Sequence, residues 1–163
     1  MDSIKALLQS LPKSPGMRIM HFCKEPLLIS QIQEYCKSES DYCEYLIATL
    51  TAQDATKLQE FQNSYTEVKY LSPQRPRFHM QSKQYDYLFL STLPQERIPF
   101  FKKIYSALKN GAPLFIFLEK EASELYYKIE SELIETNYVA TNKTDLEEFT
   151  LLSAKKMHGW SGA

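Results

Sequence analysis

Glycine is scarce in this chain, with four in 163 residues. Because glycine alone enters the left-handed region without steric cost and lets main chain approach a ligand closely, few positions here allow either. Long apolar runs are missing too. No stretch nears the roughly 20 residues that cross a bilayer, and the start Met1-Asp2-Ser3-Ile4-Lys5 is polar. Neither a membrane span nor a signal segment is expected, and the expected compartment is the cytoplasm. Cysteine is limited to Cys23, Cys36 and Cys43, which cannot all pair with one another. With no Cys-x-x-Cys and no His pair nearby, neither a disulfide framework nor a zinc site is indicated, so free thiols and no metal are expected. A formal net charge of -1 excludes a global pull toward nucleic acid or anionic lipid.

Aromatic residues are plentiful: 11 Tyr, 9 Phe and one Trp. Together with 44% hydrophobic residues they suffice for one well-filled core without disulfide or metal staples. One domain over residues 1–163 is expected, with 1–16 as a leading helix and linker and 157–163 as a tail.

The spacing of Ile4, Leu7, Leu8 and Leu11 predicts a short helix over 3–11, ended by the segment from Pro12 to Gly16. Residues 17–22 read as a strand. Pro26 then suits the first turn of a helix that buries Ile29, Ile32, Tyr35 and Cys36. The continuous apolar run over 45–50 predicts a strand covered on both faces. Thr51 and Asp54 after it have capping-box spacing, opening a helix with Ala55, Leu58 and Phe61 inward. A short strand over 68–71 and an irregular segment over 72–84 follow.

Residues 85–90 form a fourth buried strand, and Ile98, Phe101, Ile104, Tyr105 and Leu108 mark a helix stopped by Asn110-Gly111. A fifth strand over 114–118 leads to the longest helix, carried by Ala122, Leu125, Tyr126, Ile129 and Leu133. The strands over 138–142 and 148–154 lie too close for a helix between them and must pair as a hairpin. Alternating strands and helices imply a three-layer α/β/α arrangement, with a mainly parallel sheet of about seven strands and a C-terminal antiparallel hairpin.

Three passages, Tyr85-Asp86-Tyr87-Leu88-Phe89-Leu90, Ala107-Leu108-Lys109-Asn110-Gly111-Ala112-Pro113-Leu114-Phe115-Ile116 and Phe149-Thr150-Leu151-Leu152-Ser153-Ala154-Lys155-Lys156, occur in an order that resembles class I S-adenosylmethionine-dependent methyltransferases. The resemblance spans 85–156 by motif and nearly the whole chain by element order, and it implies a Rossmann-like fold. It also implies a cofactor site formed by Phe22, Cys23, Lys24 and Glu25 after the first strand, Thr51 and Asp54 after the second, and Ser91 after the fourth. In that family the first loop carries Gly-x-Gly, and the second strand ends in an acid that takes both ribose hydroxyls. Here the loop reads His21-Phe22-Cys23-Lys24-Glu25-Pro26, without glycine, and the second strand ends Thr49-Leu50-Thr51. Helix capping is the cheaper role for Asp54.

These departures point to a pseudoenzyme: a methyltransferase-like domain that has lost efficient cofactor binding and serves as a non-catalytic interaction or ligand-binding protein. The alternative is an active methyltransferase that holds S-adenosylmethionine through an atypical loop, with its catalytic residues unassigned. A second alternative is a nucleic-acid-binding module using Arg75, Arg77 and Lys83, with His79 and Phe78 among them. Met157 and Trp160 either offer an anchor to a protein partner or fold back as a tail. His21 and Cys23 share one strand face, and packing is the ordinary explanation of both.

Overall fold

A computed structural model describes residues 2–37, 43–78 and 84–157. Its elements follow the apolar periodicity. Helix α1 (Asp2–Ser10) buries Ile4 and Leu8, one turn apart. Strand β1 (Arg18–Phe22) is buried at four of its five residues, and β4 (Tyr87–Leu90) at all four. Such runs belong to strands covered on both faces. Between β1 and β4 in the chain come α2 (Ile29–Cys36), β2 (Glu44–Thr49), α3 (Ala52–Lys57), a 3-10 turn (Gln59–Phe61) and β3 (Thr66–Tyr70). After β4 come α4 (Arg97–Ala107), β5 (Pro113–Glu119), α5 (Ser123–Glu135), β6 (Tyr138–Asp145) and β7 (Phe149–Lys156).

All seven strands join one sheet in the order β3-β2-β1-β4-β5-β7-β6. The pairs β1–β2, β2–β3, β1–β4 and β4–β5 are parallel, whereas β7 runs antiparallel to both neighbours. The expected hairpin therefore acquires a precise position. The crossover through α5 carries β6 to the sheet edge, and β7 folds back into the gap beside β5. A bulge between Val139 and Asn142 accompanies a positive φ of 54° at Ala140.

The sheet separates two cores. On one face Met20, Phe22, Leu88 and Leu90 pack against Phe100, Phe101 and Ile104 of α4 and Tyr126, Ile129 and Leu133 of α5. On the other, Ile19, Ile47 and Phe89 pack against Ile4 and Leu8 of α1 and Ile29 and Ile32 of α2. No helix among the described residues is long and apolar enough to cross a membrane.

Several details differ from the sequence reading: α3 ends at Lys57, leaving Phe61 half-buried in the 3-10 turn, and β3 begins at Thr66, two residues before the expected strand. Pro26 is exposed in a bend, and α2 begins only at Ile29. Its first bond runs from Ile32 N–H to the Leu28 carbonyl, and Leu28 itself holds φ 72° with its side chain 1% exposed. Burial of Leu28 and Ile29, rather than the proline, sets where the helix starts. Strand β4 begins at Tyr87 because the Asp86 carboxylate intervenes: Oδ2 accepts from Arg18 N–H at 2.8 Å and Oδ1 pairs with Lys109 at 2.9 Å. Tyr85 forms only an isolated bridge to Leu108.

The connection from β3 to β4 must cross the α4 face, and a helix ordinarily makes such a crossover. Its described residues, 71–78 and 84–86, contain none. Leu46, Glu67 and Lys69 are left facing a groove of about 740 Å³, also lined by Arg18, Phe78 and Tyr85.

Candidate functional site

Chain leaving β1 turns to α2 on one face of the sheet, and chain leaving β4 turns to α4 on the other. The carboxyl ends of these adjacent strands form the topological switch point, where open α/β sheets bind ligands. Phe22 ends β1 but points into the α4 core, meeting Phe78 and Phe100 edge-to-face at centroid distances of 5.2 and 5.0 Å. Cys23 is fully buried on the opposite face, and its amide donates to the Ala48 carbonyl at 3.0 Å. Burial pushes its thiol up to about 12, with Asp54 adding to the shift and Lys57 opposing it. Lys24 and Glu25 are exposed, and Glu25 pairs with Lys57 at 3.1 Å.

The end of β2 is similarly occupied with itself. Thr49 is buried and donates its hydroxyl to the Thr51 carbonyl at 2.8 Å. Thr51 caps α3, its Oγ1 accepting from Asp54 N–H at 3.1 Å, which is half of the expected capping box. The structure thus brings Cys23, Glu25, Thr51 and Asp54 to one rim, with Lys57 among them, and it sends Phe22 elsewhere.

Beneath that rim, on the same face of the sheet as Cys23, stands a buried polar chain that the sequence reading missed. His21 Nδ1 lies 2.7 Å from Tyr45 Oη, and His21 Nε2 lies 2.8 Å from Ser91 Oγ. Among the described residues Tyr45 has no other hydrogen-bond partner, so its hydroxyl donates to Nδ1. Burial holds Tyr45 well above its ordinary pKa, keeping that proton in place. Nε2 then carries the ring hydrogen and donates to Ser91, whose own hydrogen goes to the Phe22 carbonyl at 3.3 Å. Ser91 N–H donates to the same carbonyl at 3.0 Å.

The chain resembles a serine activated by a histidine, but its chemistry is different. Burial lowers the His21 pKa from 6.5 to about 3, and the nitrogen facing Ser91 is already a donor. Such an imidazole cannot remove a proton from Ser91 near neutral pH. The three residues instead fasten β1, β2 and β4 together directly beneath the rim. With sequence separations of 24 and 70, only the alternation that turns His21 inward was visible beforehand.

Comparison with solved structures gives the fold a family. The chain superposes on a SAM-dependent methyltransferase from Aquifex aeolicus with a TM-score of 0.72 and 12% identity, covering 94% of this chain and 89% of that one. The CMeT domain of the citrinin polyketide synthase gives 0.76 at 9% identity, covering 96% and 51%. Phosphoethanolamine N-methyltransferase 2 of Haemonchus contortus, solved with S-adenosyl-L-methionine, gives 0.66 at 11% identity, covering 96% and 52%. The fold is that of the class I S-adenosylmethionine-dependent methyltransferases. Against the citrinin and Haemonchus proteins the chain spans about half of their length. No protein-family model and no curated protein matches the sequence.

Within this methyltransferase fold the first turn after β1 has no glycine, and the left-handed position falls on Leu28. A non-glycine residue there carries about 1 kcal/mol of strain. The other residues singled out from sequence lie apart from the switch point. Arg77 is exposed and Arg75 half-buried in the crossover after β3, while His79 and Lys83 fall outside the described residues. Met157 is 42% exposed just past β7, and Trp160 is also outside the described residues. Among the described residues no group of three or more His, Cys, Asp or Glu is placed to hold a metal ion.

Proposed function

We propose that this methyltransferase-fold domain lacks efficient S-adenosylmethionine binding and works by binding a ligand or a protein instead of transferring a methyl group. One observation carries the reading: Thr51, Glu25 and Ser91 at the switch-point rim are engaged by the protein itself, and Cys23 is buried. Thr51 caps α3, Glu25 pairs with Lys57, and Ser91 is held by His21 and Phe22. A cofactor seated there needs close main-chain approach at the first turn and an acidic acceptor for its ribose, and the chain supplies neither glycine nor a strand-ending acid. The groove over β2 and β3, about 740 Å³, falls in the size range of small-molecule sites and gives the binding role a surface.

Calorimetry with S-adenosylmethionine and S-adenosylhomocysteine tests this. The expected result is a Kd weaker than about 1 mM, or less than about 4 kcal/mol of binding free energy. Micromolar binding, about 8 kcal/mol, overturns the proposal. The competing reading, an active methyltransferase, is favoured by the strand order and by neighbours described as SAM-dependent. It would set Lys24 or Glu25 near the methionine end and Thr51 or Asp54 near the ribose. It requires incorporation of labelled methyl groups into a cell extract, together with a thermal shift by the cofactor.

A further inference from the structure

Cys36 closes α2 and Cys43 immediately precedes β2. Cys43 N–H donates to the Cys36 carbonyl at 3.2 Å, which joins the two main chains directly. Residues so joined lie within the roughly 4–7 Å of Cα separation that a disulfide spans. Both side chains belong to the core between the sheet and the α1–α2 pair, and both are free thiols. The two thiols are close enough to perturb one another's titration.

We propose that Cys36 and Cys43 form a reactive dithiol that a peroxide closes to a disulfide, clamping the end of α2 to the start of β2. The adjacent Cys36 thiol holds the Cys43 thiol below its usual range against desolvation, with Lys13 assisting and Asp86 opposing. Cys43 is therefore the attacking sulfur. Its thiolate bonds to one peroxide oxygen and the O–O bond breaks. The departing hydroxide takes a proton to become water, and Cys43 is left as a sulfenic acid. The Cys36 sulfur then attacks the Cys43 sulfur. An S–S bond forms, the S–O bond breaks, and the leaving hydroxide takes the Cys36 proton as a second water. Two electrons pass from the two sulfurs to the peroxide. Both thiols are covered, so reaction proceeds through local opening of this junction. Cys23 supplies an internal control, being buried and without a hydrogen-bonded thiol partner among the described residues.

The test is treatment of the full chain with hydrogen peroxide near neutral pH, followed by non-reducing peptide mapping. The expected product has lost two hydrogens at a Cys36–Cys43 crosslink, keeps Cys23 as a free thiol, and returns to the starting mass with a dithiol reductant. Its Tm should rise by roughly 5 °C, as a short closed loop predicts. Cys36→Ser should stop at a sulfenic acid on Cys43 that a dimedone probe captures, whereas Cys43→Ser should give neither product. A crosslink through Cys23, overoxidation without a crosslink, or thiols left intact by peroxide that oxidises the unfolded chain would each overturn the proposal. The mapping of the unsubstituted protein decides the matter even if a serine variant fails to fold.

Discussion

On its α4 face the sheet has two unlike halves. Over β4, β5 and β7 the helices α4 and α5 bring Phe101, Ile104, Ile129 and Leu133 into contact with the strands, all of them fully buried. Over β2 and β3 the described crossover residues form no helix, Leu46 is only partly buried, and Glu67 and Lys69 face the groove. The covered half carries the passages that resemble the methyltransferases; of the departures, Thr49-Leu50-Thr51 ends β2 in the open half, and the glycine-free turn follows β1 between the two halves. Packing accounts for the constancy of the covered half. A strand buried on both faces tolerates little change because each side chain fills a defined volume. An uncovered strand face with polar residues is released from that constraint.

Three measurements would break or sharpen this contrast. The largest difference is expected between paired truncations. Phe101→Ala, which removes a buried ring packed against Phe100 and Tyr138, should cost about 4 kcal/mol by urea denaturation. Leu46→Ala, on the open face, should cost about 1–2 kcal/mol, since Leu46 is only partly buried. Equal losses would abolish the contrast.

The next effect concerns the joint between the halves. His21 is neutral in the fold, with its pKa lowered from 6.5 to about 3 by burial. Below pH 6.5 the unfolded chain binds a proton there that the folded chain refuses, so the stabilising contribution is present above 6.5 and lost as pH falls toward 3. Between pH 6.5 and pH 4 this amounts to about 3 kcal/mol. His21→Phe, although less stable at neutral pH, should show a pH slope weaker by that amount. An unchanged slope would remove His21 from the account of acid sensitivity.

The smallest effect is at the rim. Thr51→Ala should cost about 1 kcal/mol through loss of the α3 cap. If Thr51 serves a cofactor instead, the same change weakens S-adenosylmethionine binding while leaving the urea midpoint nearly unmoved. The two readouts therefore separate the structural role from the ligand role.

Much of the architecture was legible in the residues. Continuous apolar runs marked β2, β4 and β5, three-and-four spacing marked α1, α4 and α5, and the short gap before the final strand forced a hairpin. The start of α2 was misread because Pro26 is compatible with a first helical turn, while burial of Leu28 acts through contacts with distant residues. Of the candidate site, the Thr51 cap was visible from spacing. The inward turn of Phe22 toward Phe78 and Phe100 was not, because it depends on which face of the sheet α4 covers.

By itself the amino-acid sequence determined the alternation of strands and helices and the lack of glycine at the first turn, since periodicity and composition act locally. Tertiary structure alone decided that β7 enters between β5 and β6, that His21 joins Tyr45 to Ser91, and that Cys36 meets Cys43. Each of those arrangements requires residues from separate elements to be buried together. Hydrogen-bond satisfaction and shape then choose the partners, and neither can be evaluated until the sheet has formed.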